Sequence, residues 1–162
     1  MAAQADFESW LVAREPALQR LAALLAGDSH GAQDLLQTTL AKLYLAWDRL
    51  DHTESVDAYA RRILVNEHRS AWRRPSRRRE VVTDLVPEGA TVDHDYDGSR
   101  EAVWAFVQSL PPRQRAVIVL RYYEELTEPE TAEVLGISVG TVKSQASRAI
   151  AALRVRVPEE DR

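Results

Sequence analysis

The chain has no cysteine among its 162 residues, which excludes disulfide staples and thiolate-bound zinc and fits a reducing cytosol. No apolar run approaches the roughly 20 residues that a membrane span needs, so no membrane association is expected. The opening Met1-Ala2-Ala3-Gln4-Ala5-Asp6 has no basic stretch leading into an apolar one, and no secretory signal is expected from it. A phosphate-cradling glycine loop is missing. The four histidines, His30, His52, His68 and His94, are scattered through separate segments and form no metal-spaced cluster. Together these absences argue against an enzyme, and neither metal nor cofactor is expected. Alternating strand patterns are absent too. What remains is a globular composition, 45% hydrophobic and 28% charged, and a cytoplasmic location is expected.

The net charge of −4 argues at first against nucleic acid, but its distribution reverses that reading. Residues 61–79 hold Arg61, Arg62, Arg69, Arg73, Arg74, Arg77, Arg78 and Arg79 against a single acid, Glu67. Residues 80–101 then hold Glu80, Asp84, Glu88, Asp93, Asp95, Asp97 and Glu101 against Arg100 alone. Screening confines each block's field to about 8–10 Å, so a local basic patch can bind a polyanion whatever the total.

Apolar periodicity predicts an all-α protein of two small helical domains. Phe7, Leu11, Leu18, Leu21 and Leu25 mark a first helix ended by Gly27-Asp28, and Leu36, Leu40, Leu43 and Trp47 mark a second over about 32–49. A third runs from near Val56 to about Arg74, stopped by Pro75. Residues 76–99, acidic and without period, read as a linker between a domain at 1–75 and another at 100–157. In the second domain Val103, Phe106, Val107 and Leu110 precede Pro111-Pro112, and Ala116, Val119, Leu120 and Tyr123 follow. Thr127 with Glu130 three residues on forms a capping box, Gly136 closes that short helix, and Ser138 caps the last one.

Two short helices joined by a glycine-containing turn are a helix-turn-helix pattern. Val142, Ala146, Ala149 and Leu153 give the second helix a narrow apolar face, small enough to lie against Ala132 and Leu135. Its other side carries Thr141, Ser144, Gln145 and Arg148, residue types that read base edges, with Lys143 set off that line and suited to phosphate. On the helix over 56–74, Asn66, Arg69 and Arg73 fall within about 40° of Arg62 on a helical wheel. Val56, Ala60, Ile63, Leu64 and Ala71 form the expected core face, while Val65 and Trp72 border the basic strip. Arginines and an asparagine edged by tryptophan can hold phosphates and stack an unpaired base. The helix over 32–49 instead carries Gln33, Asp34, Gln37, Thr38 and Ala41 on its outer side, unsuited to phosphate and suggestive of a protein partner.

In this order the pieces resemble the extracytoplasmic-function class of sigma factors, which keep only the second and fourth conserved sigma regions. The likeness spans about residues 6–156 and rests on Asp34-Leu35-Leu36-Gln37, on Tyr59 to Arg74, on Leu110 to Arg115 and on the stretch beginning at Ser138. The resemblance implies a non-enzymatic initiation factor that binds core RNA polymerase and promoter DNA. Gln33, Asp34, Gln37, Thr38 and Ala41 would grip the coiled-coil of the largest polymerase subunit. Arg62, Asn66, Arg69, Trp72 and Arg73 would engage and melt the −10 element, and a loop at about Asp51 to Asp57 would hold a flipped base. Thr141, Lys143, Ser144, Gln145 and Arg148 would read the −35 element, their domain resting on the polymerase flap. The acidic linker would thread toward the active site, and the resemblance leaves room for an anti-sigma partner. Gln33 and Thr38 stand where the family usually has Glu, so the grip is expected to be weaker or differently shaped. Gln145 stands where many members have Arg, which implies a changed −35 preference.

Overall fold

A computed structural model of the chain describes residues 2–50, 55–73 and 100–156, with the side chains of Ala2, Ala3, Trp72 and Arg73 left aside. The expected linker at 76–99 lies outside the described residues, as do Arg77, Arg78 and Arg79. The described residues form seven α-helices and no strand. They are α1 (Ala2–Ala26), α2 (Ser29–Ala46), α3 (Val56–Arg73), α4 (Arg100–Ser109), α5 (Pro112–Ile118), α6 (Glu128–Leu135) and α7 (Val139–Arg156). Packing divides the chain into two compact units, residues 1–71 and 72–162.

In the first unit α1 ends where Gly27 adopts a left-handed φ of 82°, a conformation cheap only for glycine. Asp28 then caps α2, its Oδ1 accepting from the Gly31 backbone N–H at 2.5 Å. A Cβ on Gly31 would sit 3.0 Å from both carboxylate oxygens, so the close cap depends on that glycine. This cap starts α2 three residues earlier than the apolar stripe suggests, because the stripe records burial and not the first turn. Phe7, Leu18, Leu21 and Leu25 of α1 are buried with Leu35, Leu36 and Leu43 of α2. α3 contributes Ala60, Leu64 and Val65, each fully buried. Val65 therefore belongs to the core and does not border the basic strip. Ile63 and Val56, expected in the core, are only half-buried. The core-facing direction of α3 is rotated toward Val65 relative to the wheel drawn from sequence.

In the second unit Pro111 precedes α5 and Pro112 fills its first turn, where no intrahelical N–H is needed. Arg115 turns back to the end of α4, its guanidinium donating to the carbonyls of Gln108 at 3.3 Å and Leu110 at 3.1 Å. A cation on otherwise orphaned C-terminal carbonyls is favourable both as a hydrogen bond and against the helix dipole. α5 runs into a π-helical turn, Val119–Tyr123, with Glu124 N–H bonded to the Val119 carbonyl at 3.0 Å. Glu125 follows at φ 56°, the one non-glycine with positive φ among the described residues. The sequence reading contained no such turn. Arg121 clamps it by donating to the Leu126 carbonyl. Phe106, Val107, Leu110, Ala116, Val117, Val119, Leu120 and Leu126 make the core under α6 and α7.

Two threonines are fully buried, and their hydroxyls fare differently. Thr39 Oγ1 donates to the Leu35 carbonyl at 2.7 Å, whereas Thr131 Oγ1 has no hydrogen-bond partner. A buried hydroxyl without a partner costs about 1–3 kcal/mol. Thr131→Val is expected to stabilise the second unit by about 1 kcal/mol, while Thr39→Val, which discards a satisfied bond, is neutral or mildly destabilising. Thermal unfolding of the two variants checks the contrast; equal shifts would contradict it.

Candidate nucleic-acid and polymerase interfaces

The last two helices are set by their caps. Thr127 Oγ1 accepts from the Glu130 N–H at 3.2 Å, opening α6 as the spacing predicts. Gly136 ends α6 in the left-handed region at φ 63°, and the Ile137 N–H returns to the Ala132 carbonyl at 3.0 Å. That is the Schellman closure, which glycine adopts without a Cβ penalty. Ser138 Oγ then accepts from the Thr141 N–H at 3.1 Å and starts α7 two residues after α6 has closed. Val142 and Ala149 are fully buried against a face that includes buried Ala132 and Leu135, while Ala146 and Leu153 are half-buried. Small side chains at this crossing let the two helices approach closely.

On the outer side of α7, Lys143, Ser144 and Arg148 are exposed, and Thr141 and Gln145 are half-buried at the edge of the face. The Thr141 hydroxyl pairs with that of Ser138 at 2.9 Å, and Ser144 Oγ donates to the Thr141 carbonyl at 3.0 Å. Two of the short polar side chains are thus engaged within their own helix turn, and Arg148 is the long exposed donor. Ser147, also exposed, shares the outer face with Ser144. Sequence reasoning passed over it, although at 100° per residue it lies nearer the direction opposite Val142 and Ala149 than Thr141 does.

On α3, Arg62 and Asn66 are exposed and Arg69 is half-buried beside them. Trp72 and Arg73 lie in the last turn of the helix, and their side chains are outside the described residues. Half-buried Tyr59 and Ile63 flank the strip. The helix has two acids, and both are engaged by other helices. Asp57 takes the Trp10 indole N–H at 2.9 Å and lies 3.2 Å from the Arg14 guanidinium, both from α1. Glu67 is paired with Lys42 of α2. The outer face of α3 is left basic. Asp57 also stands within the first turn of α3, so the loop expected to run to Asp57 ends before it; residues 51–54 lie outside the described residues.

Gln33, Asp34, Gln37, Thr38 and Ala41 are all exposed along one side of α2. His30 approaches Asp34 at 3.6 Å at the start of this side. At its other end the structure adds Tyr44, 52% exposed, and Leu45, 72% exposed, which no sequence argument singled out. Leu45 follows Ala41 by four residues and Thr38 by seven, so the same helical spacing pointed to it. Among the described residues no group of three His, Cys, Asp or Glu could hold a metal ion, and no helix is long and apolar enough to cross a membrane.

The comparisons with known proteins coincide with these two helical units. Residues 11–79 match sigma-70 region 2 and residues 100–153 match sigma-70 region 4. The RNA polymerase sigma-E factor of Streptomyces coelicolor is 40% identical over 157 residues, covering 96% of this chain and 88% of that protein. The ECF RNA polymerase sigma factor SigW of Bacillus subtilis is 29% identical over 147 residues, covering 80% and 77%. Among solved structures, the sigma factor RpoE of Bartonella quintana, determined with the anti-sigma factor NepR, superposes with a TM-score of 0.68 at 29% identity. It covers 92% of this chain and 94% of that one. CnrH, determined with the cytosolic domain of CnrY, gives 0.61 at 25% identity, covering 94% and 87%. The chain belongs to the sigma-70 family, within its extracytoplasmic-function class. It is a non-enzymatic transcription initiation factor, of the kind that binds RNA polymerase and recognises promoters.

The caps generate a stability prediction independent of DNA. Ser138→Ala removes the oxygen that satisfies the first turn of α7 and should cost about 1 kcal/mol, while Ser138→Asp restores it. Urea unfolding of both variants checks this; an unchanged midpoint for Ser138→Ala would show that the cap contributes nothing.

Proposed function

We propose that the three helix faces divide the work of promoter recognition. The outer side of α2, from Gln33 through Asp34, Gln37, Thr38 and Ala41, holds the coiled-coil of the largest polymerase subunit. The strip of Arg62, Asn66 and Arg69, continued by Trp72 and Arg73 in sequence, engages the −10 element and favours its melting. α7 enters the major groove at the −35 element, with Arg148 reading a base edge, Lys143 on phosphate, and Thr141, Ser144 and Gln145 shaping the contact. The domain of α7 rests on the polymerase flap. An anti-sigma protein is a further partner by analogy with RpoE and CnrH. Since RNA polymerase is its partner, the factor works in the cytoplasm.

The observation that carries this reading is the charge partition on α3. Both of its acids face α1 and α2, where Asp57 meets Arg14 and Glu67 meets Lys42, while Arg62 and Asn66 lie exposed on the outward face. Core packing turns the two acids inward, and the basic outward face that results is suited to phosphate. An αα-hairpin of the length of α6 and α7, capped at each junction, is the second support.

Run-off transcription with core polymerase on a promoter library tests the reading. Transcripts that depend on the added chain are expected, with a common pair of elements upstream of their starts; a chain that binds core and yields none is an inhibitor. Within such a system Arg148→Ala should cost about 1–3 kcal/mol of promoter affinity and relax preference at one position of the −35 element. Lys143→Ala should weaken all sequences alike and lower the slope of log K against log salt by about 1. The reverse pattern would exchange the two roles.

A further inference from the structure

Asp57 sits on the side of α3 turned away from Arg62 and Asn66, and its two carboxylate oxygens have separate uses. Oδ1 accepts the Trp10 indole N–H at 2.9 Å across 47 residues of sequence. Oδ2 lies 3.2 Å from the guanidinium of Arg14, one turn further along α1. The same turn of α3 is capped by Ser55, whose Oγ accepts from the Ala58 N–H at 3.4 Å. A carboxylate there also complements the positive end of the helix dipole.

The two donors are not equivalent. Arg14 and Asp57 side chains are 54% and 40% exposed, and an ion pair that open to water holds position weakly. Trp10, in contrast, is fixed by other rings. Its centroid lies 5.8 Å from that of Trp47 and 6.4 Å from that of Phe7, and Phe7 in turn meets Trp47 and Tyr44 at 5.1 Å each. Tyr44 lies in the last turn of α2, and Trp47 is buried directly after it. A continuous line of contacts therefore runs from the C-terminal end of α2, through the indole of Trp10, to the first turn of α3.

We propose that Trp10 and Asp57 are positioning residues for promoter opening. They fix the rotation of α3 about its own axis relative to α2, so that the Arg62–Asn66 strip faces DNA once α2 is held by polymerase. The proposal rests on the roles assigned to α2 and α3 above. Burial of Ala60, Leu64 and Val65 sets which side of α3 is inward, but apolar burial is itself non-directional. The hydrogen bond from a ring-held indole to a carboxylate has a direction and narrows the remaining rotation. Misplacing reacting groups by about 1 Å costs on the order of a hundredfold in other systems, so a small rotation of the strip is enough to matter.

The test reconstitutes the full chain with core polymerase on a promoter recovered from the library. Open-complex formation is followed on the intact duplex and on the same fragment carrying a pre-melted bubble over the −10 element, alongside binding to core alone. Trp10→Phe keeps an aromatic ring but loses the donor with part of the ring volume, and Asp57→Ala, which leaves the ring cluster intact, loses the acceptor alone. Both are expected to slow opening of the duplex about tenfold while leaving core binding and the pre-melted template near wild type. Asp57→Asn, which keeps an oxygen for the indole, should recover most of the duplex rate, and Arg14→Gln should change little. Equal losses on both templates, loss of core binding in proportion, or no loss with Trp10→Phe would each overturn the proposal. If the unaltered chain supports transcription on neither template, the assigned roles of α2 and α3 fall first and this inference with them.

Discussion

Burial of Ala60, Leu64 and Val65 decides where every charge on α3 can point. Removing a buried leucine costs about 2–5 kcal/mol, whereas an exposed ion pair contributes at most about 1 kcal/mol. The apolar face therefore wins any conflict, and the charged residues take the positions it leaves. Arg62 lies about 160° from Leu64 by the helical period, so it must face outward. Asp57 and Glu67 fall toward the inward side, still 40% and 18% exposed, where a cationic partner offsets the solvation they lose. Arg14 and Lys42 supply those partners from α1 and α2. The outward basic strip is thus a consequence of how the core is packed, as much as of how many arginines the helix has.

The same priority holds in the second unit. Val142 and Ala149 must be inward, which places Ser144, Ser147 and Arg148 outward and leaves Thr141 and Gln145 at the flanks. Gly136 and Ser138 fix the entry of α7 within a few residues of α6, so the outer face has little freedom to swing. Arg115 shows the converse: an arginine in a helical DNA-binding domain whose guanidinium closes the end of α4 and is spent on structure. Composition alone would count it with the basic residues available to a ligand.

The fold was legible in the sequence where one rule acted alone. Capping chemistry at Thr127, Gly136 and Ser138 located two helix starts and a stop, because those residues have few other reasons to occur at that spacing. The stop of α1 at Gly27 followed from the same logic. Legibility failed where tertiary packing chose between neighbours. A wheel drawn on hydrophobicity put Val65 at the edge and Ile63 inside; contact with α1 and α2 rotates the buried sector toward Val65, and nothing local to α3 encodes that rotation. The π-helical turn at Val119–Tyr123 was hidden for another reason. Its sequence is an ordinary apolar-aromatic run, and the turn depends on Glu125 in a left-handed conformation with Arg121 closing it, a combination without a residue signature. Of the site, exposure of the α2 face was readable from period, while Leu45 has no polar signal and Ser147 is marked only by its angle on the helix.

A net charge of −4 is compatible with promoter recognition because neither unit needs to attract DNA as a whole. At physiological salt a charge acts over about 8 Å, less than the length of α3 or α7, each of 18 residues at 1.5 Å rise. What matters is the sign of each face, and the acids within α3 are turned away from its strip. Under the proposed roles each DNA-contacting face is small and is expected to bind weakly by itself. With both faces on one chain and used together on polymerase, the second contact is intramolecular and affinity grows by effective concentration. Modest individual contacts then become an advantage: a factor whose isolated helices bound DNA tightly would occupy promoter-like sequence without polymerase. Weak faces on a shared scaffold make recognition conditional on the enzyme that uses it.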